Sequence, residues 1–185
     1  MPAARRLEIV TVDSPRAGIL RRKARPVGRV TREVTELIDA MLATMEAAGG
    51  LGLAAPQVGE SVRVFVARVE DRTLALADPE VVRAEGEVVD TEGCLSVPGV
   101  IAEVPRAASV TVRGKNRRGR RVTIQADGLL ARVIQHEVDH LDGVLFLDRV
   151  RDPTTIRHLT GAEDRGAPAA TAGATARSDV RTATG

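Results

Sequence analysis

Apolar residues recur at helical spacing in two segments of this chain, residues 31–48 and 127–143. The first stripe contains Val34, Leu37, Ile38, Met41, Leu42 and Met45. The second contains Leu129, Leu130, Val133, Ile134, Val138 and Leu141. Thr31 and Asp127 suit the N-cap positions, and a glycine follows the last apolar residue of each stripe. Each segment is therefore predicted to be an amphipathic helix.

Between these segments, apolar and polar residues alternate with the two-residue period of half-buried strands. Such runs cover residues 62–69, 74–77, 80–83, 86–90, 100–104, 109–113 and 122–125. Pro, Gly, Asp and Asn separate the runs, and no long helix alternates with them, so antiparallel sheets are favoured over a parallel α/β sheet. The pattern predicts an α+β fold.

The C-terminal part is predicted to change character beyond residue 160. Residues 144–147 read as a short buried strand, and Asp152-Pro153 opens a last helical turn that runs through Leu159. The remaining residues include almost no large apolar side chain, so they cannot bury enough surface to become ordered. We therefore predict one folded domain in residues 1–160 and a disordered tail in residues 161–185.

The composition excludes several functional classes. The chain has 185 residues, 43% of them hydrophobic, and its 27 basic and 25 acidic residues leave a net charge of +2. Phe65 and Phe146 are the only aromatic residues, so a stacking surface for single-stranded nucleic acid is not expected and no DNA partner is predicted. The sequence has no signal peptide and no run of membrane-spanning length, which predicts a cytoplasmic protein without membrane contact.

Two segments are strongly basic. Residues 1–30 are predicted to be irregular, with Ile19-Leu20 and Pro26-Val27 anchored on the core, and residues 115–121 read as the turn of an exposed hairpin. Both segments are interpreted as solvated faces, and contact with RNA is the alternative for each.

The strongest chemical signal lies in the second helix, where residues 135–140 read Gln-His-Glu-Val-Asp-His. Because residues four apart lie on the same helix face, His136 and His140 can share one metal ion. Glu137 would then be close enough to act on a water at the metal, as in H-E-x-x-H hydrolases. A pair of structural core histidines is the alternative, and a four-coordinate catalytic site needs a third protein ligand.

Two other stretches carry candidate chemistry. Residues 50–57 are small and apolar but end in the amide of Gln57, so they form either a segment whose glycines let a ligand approach the backbone or a buried tight turn. Residues 91–99 surround Cys94, the sole cysteine. This thiol is interpreted as a buried small residue, a nucleophile or a metal ligand.

Together these stretches resemble the three motifs of the peptide deformylase family. The chain has GLGLAAPQ at 50–57, EGCLS at 92–96 and QHEVDH at 135–140, in the family's order and spacing. The resemblance extends over roughly residues 7–150. It implies antiparallel sheets packed around a central metal-binding helix, with an N-terminal helix. The implied activity is that of a metal-dependent amidase, which removes the formyl group of N-formylmethionine from newly synthesised polypeptides and releases formate.

The resemblance assigns Cys94, His136 and His140 as the metal ligands, with water as the fourth. This set agrees with the composition, because the chain has one cysteine and only three histidines. Ligand chemistry alone favours zinc, whereas the family implies one ferrous ion, with zinc, nickel or cobalt as alternatives.

The resemblance also assigns the catalytic and substrate-binding residues. Glu137 would be the general base, and the Gln57 side-chain amide and the Leu95 backbone N–H would stabilise the oxyanion. Gly52 would let the N-formylmethionyl nascent peptide lie strand-like against the enzyme. The residues expected to line the methionine pocket are Leu51, Leu129 and Val133.

Three features depart from the family pattern. Arg132 lies four residues before His136, so it is expected either to rim the pocket and favour acidic substrate positions or to cover core surface with its stem. Asp78 stands where the family usually has Asn, which puts a local turn contact in question. The long C-terminal helix of some members is missing, so a transient ribosome contact would need another surface.

Two other functions stay open at this point. A zinc endopeptidase fits the H-E-x-x-H motif alone, although Cys94 upstream and the Gln57 motif argue against it. A formyl-peptide-binding or ribosome-binding module with an inactive site is the second, although the intact Glu137 argues against it.

Overall fold

The predicted helices are both present in the computed structural model, which describes residues 5–159. The N-terminal helix, α1, spans Arg32–Ala47. The second helix, α2, spans Gly128–Leu141. Thr31 and Asp127 occupy the N-cap positions in extended backbone conformation, as predicted, although neither side chain makes a capping hydrogen bond.

The described chain also contains eight strands, which form two antiparallel sheets. They are β1 (Gly52–Ala54), β2 (Val64–Val69), β3 (Arg72–Glu85), β4 (Val88–Cys94), β5 (Val97–Arg106), β6 (Ser109–Lys115), β7 (Arg121–Asp127) and β8 (Arg157–His158). One sheet has the strand order β1-β2-β3-β6-β7, and the other has the order β4-β5-β8. The predicted α+β class is confirmed.

A helix packs against each face of the five-stranded sheet at strand β2. Phe65 belongs to the apolar cluster that includes Ile134 of α2, whereas Val64 and Val66 belong to the cluster that includes Ile38 of α1. Because successive strand residues point to opposite faces, β2 separates the two clusters. Helix α2 therefore lies in the interior, where its side chains are shielded from water.

The predicted runs 74–77 and 80–83 belong to one strand, β3. Its first half pairs with β2 and its second half with β6, and the register shifts between Ala77 and Glu80. Asp78, at this irregularity, has a φ of 50°. The break in alternation thus marks a bulge and not a turn between two strands. Asp78 also accepts hydrogen bonds from the backbone N–H groups of Val27 and Gly28, so the turn contact in question is made.

Two predictions near the C-terminus are wrong in secondary structure. Residues 144–147 do not form a strand; Leu145 and Phe146 are buried, but a 3-10 helix spans Phe146–Arg149. The side chain of Asp148 accepts the backbone N–H of Leu145, which favours this helical turn. The last predicted turn ends early at Thr155, because the following residues pair with β5 as strand β8.

The basic N-terminal segment is more regular than expected. A 3-10 helix spans Ala17–Arg21 and buries Leu20, as anticipated for that residue. No helix among the described residues is long and apolar enough to span a membrane. The tail predicted in residues 161–185 lies outside the described residues.

Candidate metal centre

The fold brings Cys94, His136 and His140 together. Cys94 ends β4 and pairs across a tight turn with Val97, while both histidines project from the buried α2. One donor atom from each residue lies within 4.8 Å of the others, and all three side chains are buried. One thiol and two imidazoles are a donor set suited to a single divalent metal ion. The structure therefore has a site for one metal ion.

Polar contacts surround the Cys94 sulfur. The Ser96 backbone N–H lies 3.4 Å from Sγ, and His140 Nε2 lies 3.3 Å from it. Gln57 Nε2 lies at 3.7 Å, a long contact. The sulfur is thus approached by backbone and side-chain groups from several sides, and the thiolate is the form of cysteine that binds metal.

A fully buried carboxylate orients His136. His136 Nδ1 lies 2.9 Å from Glu92 Oε2, so Nδ1–H donates to the carboxylate and Nε2 is left as the ligand atom. Glu92 also accepts hydrogen bonds from Arg106 and from Arg132 Nη1. Burial opposes ionisation of Glu92, but hydrogen bonds from His136 and Arg106 outweigh it and hold its pKa well below the usual range.

The electrostatics of the two imidazoles differ. Burial alone would lower the pKa of His136, but its contacts with Cys94 and Glu92 outweigh burial and raise that pKa well above its ordinary value. Burial, followed by the neighbouring His136, lowers the pKa of His140 well below its ordinary value. The pair stands at 4.9 Å between ring centroids in an edge-to-face arrangement.

Arg132 does not rim the pocket as an exposed charge. It is 4% exposed and donates to Glu92, to the Val104 carbonyl and to the Val88 carbonyl. Because the guanidinium already has three internal acceptors, this arrangement favours the alternative in which Arg132 belongs to the core. The guanidinium instead neutralises the carboxylate that holds His136.

A buried ion network around Glu92 was not predicted from the sequence. Arg106 bridges Glu92 and Asp139, and Asp139 also accepts from Arg149. One signal was available: Glu92 and Cys94 are two apart in β4, so both side chains leave the same face of the strand. A carboxylate on the same face as a ligand is a candidate to orient it. No comparable signal identifies Arg106.

Glu137 is fixed by an unusually close backbone neighbour. A Cβ built on Gly52 would lie 2.2 Å from Glu137 Oε1, so only glycine leaves room for this carboxylate. The other oxygen, Oε2, is buried and has no hydrogen-bond partner among residues 5–159. Burial raises the pKa of Glu137 to about 7. A buried acceptor without a protein partner is suited to bind a water or substrate proton.

The side chain of Gln57 is also held in one orientation. It is 2% exposed, its Oε1 accepts the Ala54 N–H at 2.8 Å, and its Nε2 lies 3.2 Å from Ser96 Oγ. The N–H end of the amide is thereby turned towards Cys94. Leu95 lies in the turn directly after Cys94, and its side chain is half-buried.

A small cavity opens near the N-terminal end of α2. Its volume is about 170 Å³, and its lining includes Val88, Ala107, Leu129 and Arg132. Of the predicted pocket residues, Leu129 lines this cavity. Leu51 does not line it; it is half-buried and packs against the same apolar cluster as Leu129. Val133 has no exposed surface and lies within the core.

A buried Cys-His-His donor set beside a carboxylate with a pKa near neutrality defines a metal-dependent hydrolase. The model of the polypeptide deformylase family matches residues 6–155. The chain belongs to this family, which confirms the family and the enzyme class predicted from the three motifs.

Related proteins agree with this assignment over most of the chain. The peptide deformylase of Thermomicrobium roseum is 45% identical over 172 residues, which cover 88% of this chain and 96% of the relative. The crystal structure of the Thermotoga maritima enzyme has a TM-score of 0.75 and 38% identity, covering 80% of this chain and 99% of that one. A Synechococcus elongatus enzyme, solved in complex with actinonin, has a TM-score of 0.76 and 41% identity, covering 84% and 87%.

Proposed function

We propose that Cys94, His136 and His140 hold one divalent metal ion and that Glu137 is the general base in removing the formyl group from N-formylmethionyl nascent peptides. The observation that carries this proposal is the buried, unpartnered Oε2 of Glu137 beside the three-residue donor set. The donor set fits a metal, and the free oxygen fits a proton acceptor.

When bound, the cation supplies Lewis-acid activation of water and of the formyl carbonyl. Glu137 Oε2 accepts the proton of the attacking water and delivers it to the nitrogen of the departing peptide amine. With the pKa of Glu137 raised to about 7 by burial, both transfers are feasible near neutral pH. A cation in the adjacent site would lower this pKa, because an opposite charge favours the carboxylate.

Two donors would stabilise the negative charge that develops on the formyl oxygen. The Gln57 side chain has one N–H directed at sulfur over a long 3.7 Å contact, which is easily exchanged for an oxyanion. The Leu95 backbone N–H follows the Cys94 ligand directly. Each such donor is worth about 3 kcal/mol of transition-state stabilisation in other enzymes.

The substrate peptide would bind along a strand edge. β1 and β4 are edge strands of their sheets, and each reaches the site: Gly52 of β1 touches Glu137, and β4 ends at Cys94. An extended peptide adds to such an edge through backbone hydrogen bonds. The methionine side chain would enter the cavity lined by Leu129. Leu51 and Val133 belong to the same apolar cluster as Leu129.

The proposed native metal is ferrous iron, as the family resemblance implies, with zinc, nickel or cobalt able to bind the same donors. The enzyme is proposed to work in the cytoplasm, on chains as they leave the ribosome, with which it would make a transient contact.

The decisive experiment compares the wild type with Glu137→Gln, both loaded with nickel under anaerobic conditions. Formate release from a formyl-Met tripeptide should fall roughly 100- to 10,000-fold in the variant, because an amide cannot accept the proton. Bound nickel, measured by elemental analysis, should be unchanged. Equal rates in the two proteins would exclude Glu137 as the base. Cleavage of an internal bond of an unformylated peptide would favour the endopeptidase instead.

A further inference from the structure

The β6–β7 hairpin concentrates positive charge at one end of the molecule. Residues 113–121 contain no acidic residue and the basic residues Arg113, Lys115, Arg117, Arg118, Arg120 and Arg121. The net charge of the whole chain is only +2, so this density is local. It is not a consequence of a generally basic protein.

The turn of this hairpin has a defined conformation. Asn116 Oδ1 accepts the backbone N–H groups of Arg118 and Arg120, and the Gly119 N–H donates to the Asn116 carbonyl. Gly119 has a φ of 75°, which favours glycine. The arginines are thus presented from a structured turn and not from a free loop.

Two of the six basic side chains form hydrogen bonds between the hairpin and the rest of the protein. Lys115 contacts Asp78 and the Gly28 carbonyl. Arg117 Nε donates to Asp39 of α1 at 2.9 Å. These contacts neutralise both charges locally.

The other four, which we call the free arginines, are Arg113, Arg118, Arg120 and Arg121. All are exposed, and none has a salt-bridge partner within the described part of the chain. Arg113 stands opposite Glu80 in the strand register without a salt bridge to it. Arg29 is also exposed. Its chain neighbours Gly28 and Val30 both contact the hairpin, so Arg29 adds a fifth positive charge beside the free arginines.

We propose that this end of the molecule docks on the phosphate backbone of a double-stranded RNA segment, as on a ribosome surface. Arginine forks suit phosphate oxygens. Residues 115–121 contain no apolar side chain, which disfavours insertion into a membrane. The absence of aromatic residues there disfavours single-stranded RNA.

The position of the hairpin leaves the active site accessible in such a complex. Strands β6 and β7 run from the turn to Ser109 and Asp127, about 20 Å away by strand length. Asp127 leads directly into α2, near the cavity proposed for methionine. This inference rests on the proposed action near the ribosome but concerns a different surface.

The test measures binding and catalysis separately on the full, nickel-loaded chain. A fluorescein-labelled 20-base-pair RNA hairpin is titrated by anisotropy at several salt concentrations, and sedimentation with bacterial large ribosomal subunits is measured in parallel. The test variant carries Arg118→Gln, Arg120→Gln and Arg121→Gln. The control variant carries Arg5→Gln, Arg22→Gln and Arg157→Gln, which remove the same charge from other exposed positions.

We expect the RNA affinity of the test variant to be at least about tenfold lower than that of the wild type at moderate salt. The slope of log affinity against log salt concentration should become shallower by roughly two to three. It should also sediment less with the subunits, while the control variant binds nearly as the wild type does. Formate release from a formyl-Met tripeptide should be equal in all three proteins.

Equal losses in both variants would overturn the docking surface, because they would indicate attraction by overall charge alone. Wild-type binding to anionic phospholipid vesicles but not to RNA would also overturn it, in favour of a membrane contact. Undetectable binding to RNA and to subunits would reject it outright. If the nickel-loaded wild type released no formate, the proposed catalytic function would be contradicted instead.

Discussion

The contact between Gly52 and Glu137 is the tightest constraint at the scale of single residues. Backbone from β1 lies against the carboxylate that would move the proton, so the strand sets the position of that group. Sequence motifs predicted a glycine near the substrate, but its contact with Glu137 depends on how β1 and α2 pack and was not predicted.

Replacing Gly52 by alanine should therefore disturb the base and not merely the backbone. The new Cβ would lie 2.2 Å from Oε1 and 2.7 Å from the carboxyl carbon, which forces either Glu137 or β1 to move. We expect kcat/KM for formyl-Met tripeptide to fall at least about 100-fold. Gly18→Ala is the matched control, since a Cβ there meets no atom within 4 Å. Comparable kinetics of the two variants would show that the contact is dispensable.

Glu92 offers a second test at this scale. Glu92→Gln removes the charge that pairs with Arg106 and Arg132 and weakens the acceptor for His136 Nδ1. We expect metal affinity, measured by competition with a chelator, to fall roughly 10- to 100-fold. The free energy of unfolding should fall by about 3 to 5 kcal/mol because buried arginines lose their partner.

Glu103→Gln, an exposed change on β5, serves as the control for Glu92. If Glu92→Gln retained metal as the wild type does, Glu92 would be a stabilising residue without influence on the ligand.

At the scale of elements, periodicity succeeded where an element has two distinct faces. Helices α1 and α2 were predicted to within about one residue of their observed ends because each carries an apolar stripe at helical spacing between clear end signals. Prediction failed where tertiary pairing decides the structure. Residues 157–158 are a strand only because β5 offers them an edge, and residues 146–149 turn because of the Asp148 cap. Short segments carry no period of their own.

Asp78 links three elements and makes stability depend on pH. Partial burial opposes ionisation of Asp78, but hydrogen bonds from Lys115 and from the Val27 and Gly28 N–H groups outweigh it and lower the pKa. A lowered pKa means that the folded state prefers the carboxylate. Its stabilisation is complete above the ordinary aspartate pKa of about 4 and is lost as pH falls through the lower folded value.

We therefore expect Asp78→Asn to lower the free energy of unfolding by about 1 kcal/mol between pH 5 and 8, since the amide keeps one acceptor but loses the pair with Lys115. The difference from the wild type should shrink below about pH 4 as the wild-type carboxyl is protonated. Urea denaturation at stepped pH values measures this. A difference that stays constant down to pH 2 would exclude the carboxylate as its source.

At the scale of the whole molecule, the candidate site draws on both sheets and one helix. Cys94 comes from the three-stranded sheet, Gln57 follows a strand of the five-stranded sheet, and both histidines come from α2. Local patterns identified each group but not their meeting point, which the family resemblance supplied. The buried ion network was not predicted, because the contacts of Glu92 with Arg106 and Arg132 join residues that lie far apart in the chain.

The proposed domain boundary can be tested on the same scale. A chain truncated after residue 160 should release formate at the rate of the full chain and unfold at the same temperature, because the proposed metal ligands and the described apolar clusters lie within residues 5–159. Thermal unfolding and formate release measure the two properties. A marked loss of either would show that the C-terminal segment belongs to the catalytic unit.

The shared use of Glu92 has a consequence for the evolution and engineering of specificity. Arg132 lines the cavity proposed for the methionine side chain and also donates to the carboxylate that holds His136. Substitution of Arg132 to reshape the cavity would therefore also weaken metal binding, so the two properties cannot change independently at this position. Leu129 and Val88 line the same cavity without contacting that carboxylate through a side chain. New side-chain preferences are thus expected to arise at these two positions first.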